Sequence, residues 1–429
     1  MRDGLSDGVR LATRASRAAF VERLVEEGCD VDVLRFALMP AVDAPTFGAN
    51  RNAMLLDQLD TRALCTDDDA IPHLFCPPTR QPSRRVGPGV CPLSYWPDDA
   101  APEPEPESKS ALAVAEAVLG RRCDEVHPEL QIGNASRIAV ATFGVWGDAG
   151  VGGPFFMLTQ RGEARQRLVA QGRYRERSAS RKVLRLAPGP TLSPGGFFMA
   201  GAAAYDGHEY LPPFFPFGRN EDGLFGTQLG VVASQRYIAH LPWAMQHAPL
   251  ESRSFGARDR DYQTPRICDL LRPLVAACSH ALSGEEPATR CAALGQRFVQ
   301  LGRGPDEHLD QTLAWGWWTQ VHRASSRLQA LMHEHDGQPA AWADDIRRYV
   351  STASAARRRS PTPRPTESEG GGTDATRQWI IEYGRMLAHW PSIVAAARRL
   401  RARGVRLSRP IDRRPPTRSG KVPASSRAS

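Results

Sequence analysis

Three consecutive carboxylates, Asp67, Asp68 and Asp69, follow a short apolar run at 63–66 (ALCT) with no spacer. Side by side they repel one another, and solvent, a helix end or a bound cation has to relieve that charge. In an open α/β sheet, ligands bind beyond the carboxyl ends of strands. An acidic triplet at a strand exit therefore constrains the fold and the chemistry together. The flanking pattern agrees with that placement. Residues 16–28 (SRAAFVERLVEEG) put Phe20, Leu24 and Val25 on one helical face, with Gly28 as a C-terminal stop. Residues 30–39 (DVDVLRFALM) read as a short strand. Residues 45–60 (PTFGANRNAMLLDQLD) open on Pro and Gly and continue as a helix through Met54, Leu55, Leu56 and Leu59. Helix, strand, helix, strand, acids is the alternation of an α/β domain with a parallel sheet.

Downstream, the Pro-rich stretch 77–108 reads as a mobile loop. A helix (SALAVAEAVLGRR) and a strand at 137–147 follow, then a Gly/Pro-punctuated aromatic stretch at 193–226 and a helix from Asp222 to Val232. Residues 258–350 are helical in pattern. Residues 351–375 lack the apolar side chains for a core and read as a disordered linker. A last helix at 376–404, bent at Pro391, is expected to dock on the body, ahead of a disordered basic tail at 405–429.

The net charge of +8 is misleading as a whole-chain property. From Arg398 onward the local balance is +10, so the rest of the chain sums to −2. A near-neutral body argues against nucleic-acid binding and leaves a basic tail able to touch acidic partners. No run reaches the roughly 20 apolar residues of a membrane helix. The first residues show no secretory h-region, and eight scattered Cys form no CxxC pair, so the expected compartment is cytoplasmic. Cys65, His73, Cys76 and Cys91 have the chemistry of zinc ligands but not the spacing of a structural zinc site.

Two further constellations bear on the acids. Glu221 and Asp222, within RNEDG, lie after the aromatic stretch; a carboxylate there is suited to take a hydroxyl proton as general base. The plainer reading is a helix start capped by Asn220 or Asp222. In HLPWAMQH, His240 and His247 offer imidazoles, which bind metals but more often serve structure.

In this order, GANRNAMLL, a strand, DDDA, a Gly-rich aromatic stretch, NED and a late His resemble the GT-A glycosyltransferases, most nearly the family-2-like inverting group. The resemblance spans about residues 16–255. It implies a Rossmann-like mixed sheet flanked by helices over 1–257, with a helical C-terminal region beyond. It implies that Asp67 and Asp69 hold a divalent metal, Mn2+ or Mg2+, with His247, or second His240, as a third ligand. It places Arg51, Asn52, Asp67 and Asp68 against a nucleotide-diphosphate sugar, and makes Asp222, or second Glu221, the base toward a hydroxyl acceptor. The family's opening strand, its PTxxR-like turn and its second, acid-tipped strand have no counterpart here. The domain is therefore expected to be truncated at its N-terminus. Two outcomes follow: an enzyme, or a catalytically inactive remnant acting as a binding or scaffold protein.

Overall fold

The computed structural model describes residues 10–77, 80–101, 105–106, 109–149, 153–251, 253–282, 284, 286–368 and 372–410. Three helices come first. Thr13 accepts a hydrogen bond from the Ser16 amide and caps α1 (Arg14–Glu26), which buries Phe20, Val21 and Leu24. Asp30 caps α2 (Val31–Leu38) by accepting from the amides of Asp32 and Val33. This overturns the strand expected at 30–39. The buried set Val33, Leu34, Ala37 and Leu38 has helical spacing, and the Asp30 cap satisfies two amides that a strand would have to pair elsewhere. Helix α3 (Phe47–Asp57) forms within the helix expected at 45–60.

The body elements that position the site are β1 (Arg62–Thr66), β2 (Ala70–Cys76), β3 (Ser94–Pro97), α4 (Ala111–Glu116), β4 (Arg137–Asp148), β5 (Lys182–Leu186), β6 (Thr191–Ser193), β7 (Ala202–Asp206), α5 (Glu221–Val232) and β8 (Arg236–His247), with short helices such as Gly162–Val169 and Tyr174–Ala179 between β4 and β5. The main path of the sheet runs β1-β7-β4-β8-β2. Of its pairs, β4 with β8 is parallel and the others are antiparallel. The protein is thus a mixed α/β fold, and the parallel sheet expected from the opening alternation is corrected. With α2 a helix, no strand–helix–strand unit precedes the acids to impose parallel pairing.

The chain passes from β1 to β2 in three residues, although β7, β4 and β8 lie between those strands in the sheet. A flat sheet would separate them by about 19 Å, four strand spacings. Four Cα steps span at most about 14 Å. The sheet therefore curls, and the fold closes at the acidic triplet.

Helices α6 (Ile267–Ala277), α7 (Pro287–Arg303), α8 (Asp306–Glu334), α9 (Ala340–Arg359) and α10 (Gly372–Ala402) complete the chain. One apolar core joins α6, α7, α8 and α10 to the body: Leu24, Leu34, Phe214, Phe225, Leu271, Phe298, Leu309 and Trp390 belong to it, while α9 packs through Trp342 and Ile346 in a second cluster with Tyr95 and Leu168. Phe214 and Phe225 stack within the first at 4.2 Å between ring centroids. Each such aliphatic or aromatic side chain contributes about 1.5–3 kcal/mol by leaving water. Helix α10 continues through Pro391.

Three segments read as mobile or disordered are ordered where described. In 77–108, β3 pairs with β5 and buries Tyr95, Arg84–Arg85 lie beside β6, and Glu105–Pro106 pair with β2. In 351–375, α9 runs to Arg359; Pro363 and Pro365 are buried, and the Thr366 amide donates to the Pro265 carbonyl. In 405–429, Leu407 is buried, Ser408 donates to Asp57, and Arg409–Pro410 pair with Arg10–Leu11. Composition misses such docking because proline rings and backbone bonds hold it, with few large apolar side chains. The rest of the basic tail, 411–429, lies outside the described residues. Among the described residues no helix is long and apolar enough to cross a membrane.

Candidate metal centre

Asp67 leaves β1 with its amide bonded to the Gly201 carbonyl at 2.8 Å, and the Asp69 carbonyl accepts the Ala248 amide at 2.9 Å. These two backbone bonds tie the ends of the acidic turn to the start of β7 and the end of β8. His247, the last residue of β8, is thereby brought to Asp69, with Nε2 at 2.9 Å from Oδ1. Its other ring nitrogen, Nδ1, lies 2.6 Å from the Asp148 carbonyl. A carbonyl only accepts, so Nδ1 carries a proton, and Nε2 is the nitrogen turned to Asp69, where a metal ion would replace a proton between the two. β4 approaches β8 closely at this point. A Cβ on Gly147 would stand 2.3 Å from the His247 carbonyl oxygen, and Gly147 has φ of +113°, so glycine is required beside the histidine. Asp148 is fixed in turn: its carboxylate accepts from Arg181 at 2.9 Å and from the Arg253 amide at 3.0 Å. Burial works against its charge, but these donors hold its carboxyl below the usual range.

One ligand atom each from Asp67, Asp69 and His247 lies within 4.8 Å of the others, and all three residues are half-buried. Among the described residues this is the group able to hold a metal; the Cys65, His73, Cys76 and Cys91 set does not assemble, and the cysteines are free thiols. Two carboxylates and an imidazole form a hard-to-borderline donor set with room for further ligands, suited to Mn2+ and its neighbours more than to Mg2+, which favours an all-oxygen shell.

Arg51 reaches the same place from α3. Its guanidinium bonds Glu221 and lies 3.3 Å from Asp67 Oδ1. Helix α3 comes this close because Gly48 presses on the Phe215 carbonyl, where a Cβ would stand 1.7 Å from the oxygen, and because the Ala49 amide donates to Pro216. Asn220, left-handed at φ of +65°, starts α5 and donates to Asp269 at 2.6 Å, which delivers Glu221 and Asp222 to the cluster. Asn220 holds the N-cap position as the helix-start reading expects, but makes no side-chain cap bond; Asp222 is the side chain that accepts a first-turn amide, that of Gly223.

The two acids of α5 differ. Glu221 is buried; burial and the neighbouring Asp222 outweigh Arg51 and push its carboxyl up to about 7. Asp222 is half-buried, and its carboxylate accepts from the Gly223 amide at 2.8 Å and the Ala200 amide at 3.3 Å. Burial also raises Asp67, with Asp69 and Asp222 adding to the rise against the pull of Arg51 and His247. Burial alone would lower Arg51, but Glu221, Tyr205, Asp222 and Asp67 together hold it above its ordinary value. The cluster is short of positive charge.

Three expected site residues stand apart. Asn52 is fully buried; its Nδ2 donates to the carbonyls of Ala37 and Phe214 and its Oδ1 accepts the Phe214 amide. Its amide is spent on holding α2 and the 214 segment, not on a ligand. Asp68 is exposed at the tip of the turn. His240 is buried, with Nε2 at 2.9 Å from Ser193 Oγ and, among the described residues, no carboxylate bonded to it. Sequence reasoning missed Asp148 and Gly147, whose signal was the end of the strand at 137–147, and missed Arg51 as a bridge between acids. No protein-family model matches the chain, and neither the curated proteins nor the solved structures contain a match.

Proposed function

We propose that the protein is a metal-dependent glycosyltransferase of the GT-A type, moving a sugar from a nucleotide-diphosphate donor to a hydroxyl acceptor. The observation that carries this reading is the convergence of Asp67, Asp69 and His247 on one point, beside Arg51 and the acids that open α5. Asp67, Asp69 and the Nε2 of His247 would hold the ion, which when bound neutralises charge growing on a departing diphosphate. Asp222 is the better base: it is more accessible than Glu221, its charge reaches Asp67, and two backbone amides orient it. Glu221 is engaged by Arg51 and serves to hold that guanidinium beside Asp67. Arg51 then opposes the rise that burial imposes on Asp67 and turns its carboxylate toward the shared point.

A second reading rests on the same arginine. Arg51 already supplies one positive charge to the cluster, which would let a catalytically inactive scaffold keep these acids without a metal. Titration calorimetry separates the two: Mn2+ first, then uridine, guanosine and thymidine diphosphate sugars with and without Mn2+. The enzyme reading expects Mn2+ binding and Mn2+-dependent donor binding, both lost in Asp69→Asn. Donor binding that persists unchanged in that variant would sink it, and wild-type protein that binds no Mn2+ leaves the scaffold.

A further inference from the structure

Two stretches of the helical region hold arginines and no acid. Residues 311–333 of α8 contain neither Asp nor Glu, and the same is true of 346–366, which begins inside α9 and runs past its end. An ordinary soluble surface mixes both signs. The fold sets these two stretches side by side. Leu328 and Leu331 of α8 pack with Trp342 and Ile346 of α9, and Trp318 and Val321 pack with Ala353, so the two helices run antiparallel. The Trp318 indole N–H donates to the Pro361 carbonyl at 2.6 Å, which holds the end of α9 beside this part of α8.

Within these stretches Arg347, Arg348 and Arg364 are paired, with Asp344, Asp261 and Asp310. Arg323 and Arg327 of α8 and Arg357, Arg358 and Arg359 at the end of α9 are exposed, and none of the five has an ion pair or a side-chain hydrogen bond among the described residues. The helix dipole accounts for cations in the last turn of α9, but not for Arg323 and Arg327 in the middle of α8. Trp315 lies one turn before Trp318 and so beside the end of α9. It is 61% exposed, and of the nine tryptophans it alone is exposed. Its neighbours are committed: the Trp317 indole donates to the Tyr262 hydroxyl at 2.7 Å, and Trp318 to Pro361. Helical spacing puts His322 and Arg323 on the Trp315 side of α8, with Arg327 one turn beyond. A large amphipathic ring left in water forfeits its burial, and here it stands among unpaired positive charges.

We propose that this face of α8 and α9 docks on an anionic lipid surface, with the Trp315 ring at headgroup level and the five unpaired arginines against lipid phosphates. Indole rings concentrate at the membrane–water interface, and each arginine close to a charged bilayer adds to the attraction. The rival is single-stranded nucleic acid, which binds by stacking successive bases on several rings. One exposed ring among five cations favours the lipid. This surface is made by α8 and α9 alone and owes nothing to the acidic cluster.

Sedimentation of the full-length protein with vesicles of mixed phosphatidylglycerol and phosphatidylcholine, and of phosphatidylcholine alone, tests this. The protein should sediment with the anionic vesicles only, and high salt should release it. Trp315→Ala should weaken binding about tenfold. Arg357→Gln, Arg358→Gln and Arg359→Gln together should weaken it about a hundredfold, roughly fivefold for each charge. These positions are exposed, so the melting temperature and Mn2+ binding should not change. Brominated acyl chains should quench the tryptophan fluorescence of the wild type and leave that of Trp315→Ala unquenched. The proposal is overturned by wild-type protein that ignores anionic vesicles or binds phosphatidylcholine alone equally well. It is also overturned by binding unchanged in both variants, as the basic run at 411–429 would produce, or by an oligothymidylate that displaces the vesicles and loses its own binding in Trp315→Ala.

Discussion

Strand β8 carries two histidines seven positions apart, and their surroundings are opposite. His247 is at the strand end, half-exposed, with a carbonyl on one nitrogen and a carboxylate on the other. His240 is in the strand interior, fully buried, with a hydroxyl on one nitrogen and no partner among the described residues on the other. The first faces a charged, solvent-reachable cluster; the second is a neutral ring sealed inside the sheet. An imidazole has no role of its own. Which partners face its two nitrogens, and whether water reaches it, assign the role.

Breaking the charged end should give the largest effect. Arg51→Met leaves Glu221 buried beside Asp222 without its cation and should destabilise the fold by about 3–5 kcal/mol in urea unfolding. A loss under about 1 kcal/mol, as for a surface pair, would mean the cluster is wetter than its burial indicates. Removing a proposed metal ligand comes next. Asp69→Asn or His247→Ala should weaken Mn2+ binding about a hundredfold or more, since even supporting residues cost 10–100-fold. His240→Gln should leave that affinity alone, and an equal loss there would erase the distinction between the two histidines.

Asn52→Ala tests whether that residue serves the fold. It should cost about 1–3 kcal/mol through the unpaired Phe214 amide and leave Mn2+ affinity unchanged. The two ends should also respond to pH in opposite directions. His240 titrates near 3 in the fold against about 6.5 when unfolded, so the unfolded chain binds the extra proton between those values and stability rises with pH there. Glu221 titrates near 7 against about 4.5 unfolded, so the folded chain binds the extra proton and stability falls as pH rises from about 4.5 to 7. Each slope is at most about 1.4 kcal/mol per pH unit. Relative to wild type, His240→Phe should tilt the stability profile downward with pH over about 4.5–6.5, and Glu221→Gln should tilt it upward, with unfolding free energies at pH 5, 6 and 7 as the check. Matching tilts would refute the contrast. The smallest effect belongs to Asp68→Asn, which should change stability by less than about 0.5 kcal/mol and Mn2+ affinity hardly at all.

Much of the charged end was legible beforehand. Asp67, Asp69 and His247 were singled out as residue types able to share a cation, and they lie together; Asp222 and Glu221 start a helix beside them. Asn52 was misread because a motif position says nothing about which way a side chain faces, and one step around a helix separates Arg51 in the cluster from Asn52 in the core. The helix α2 was misread because Val31 and Val33 alternate as a strand does, while the decisive cap, Asp30, acts through geometry. The bulge in β8 between His240 and Ala244 was invisible: it is a mismatch between two strands, and neither strand shows it alone.

Sequence by itself determined the local pieces. The helices at Arg14–Glu26 and Phe47–Asp57, the apolar runs of β1 and β4, and the run of acids after β1 follow from bonding and hydration within a few residues. Tertiary structure decided everything that needs two distant segments at once: the mixed pairing of the sheet, the curl that carries the acidic turn to the end of β8, the fourth side of the cluster at Arg51, and the docking of the proline-rich segments. Long-range convergence is set by strand register and by burial shared among many residues, and no short stretch of chain encodes either.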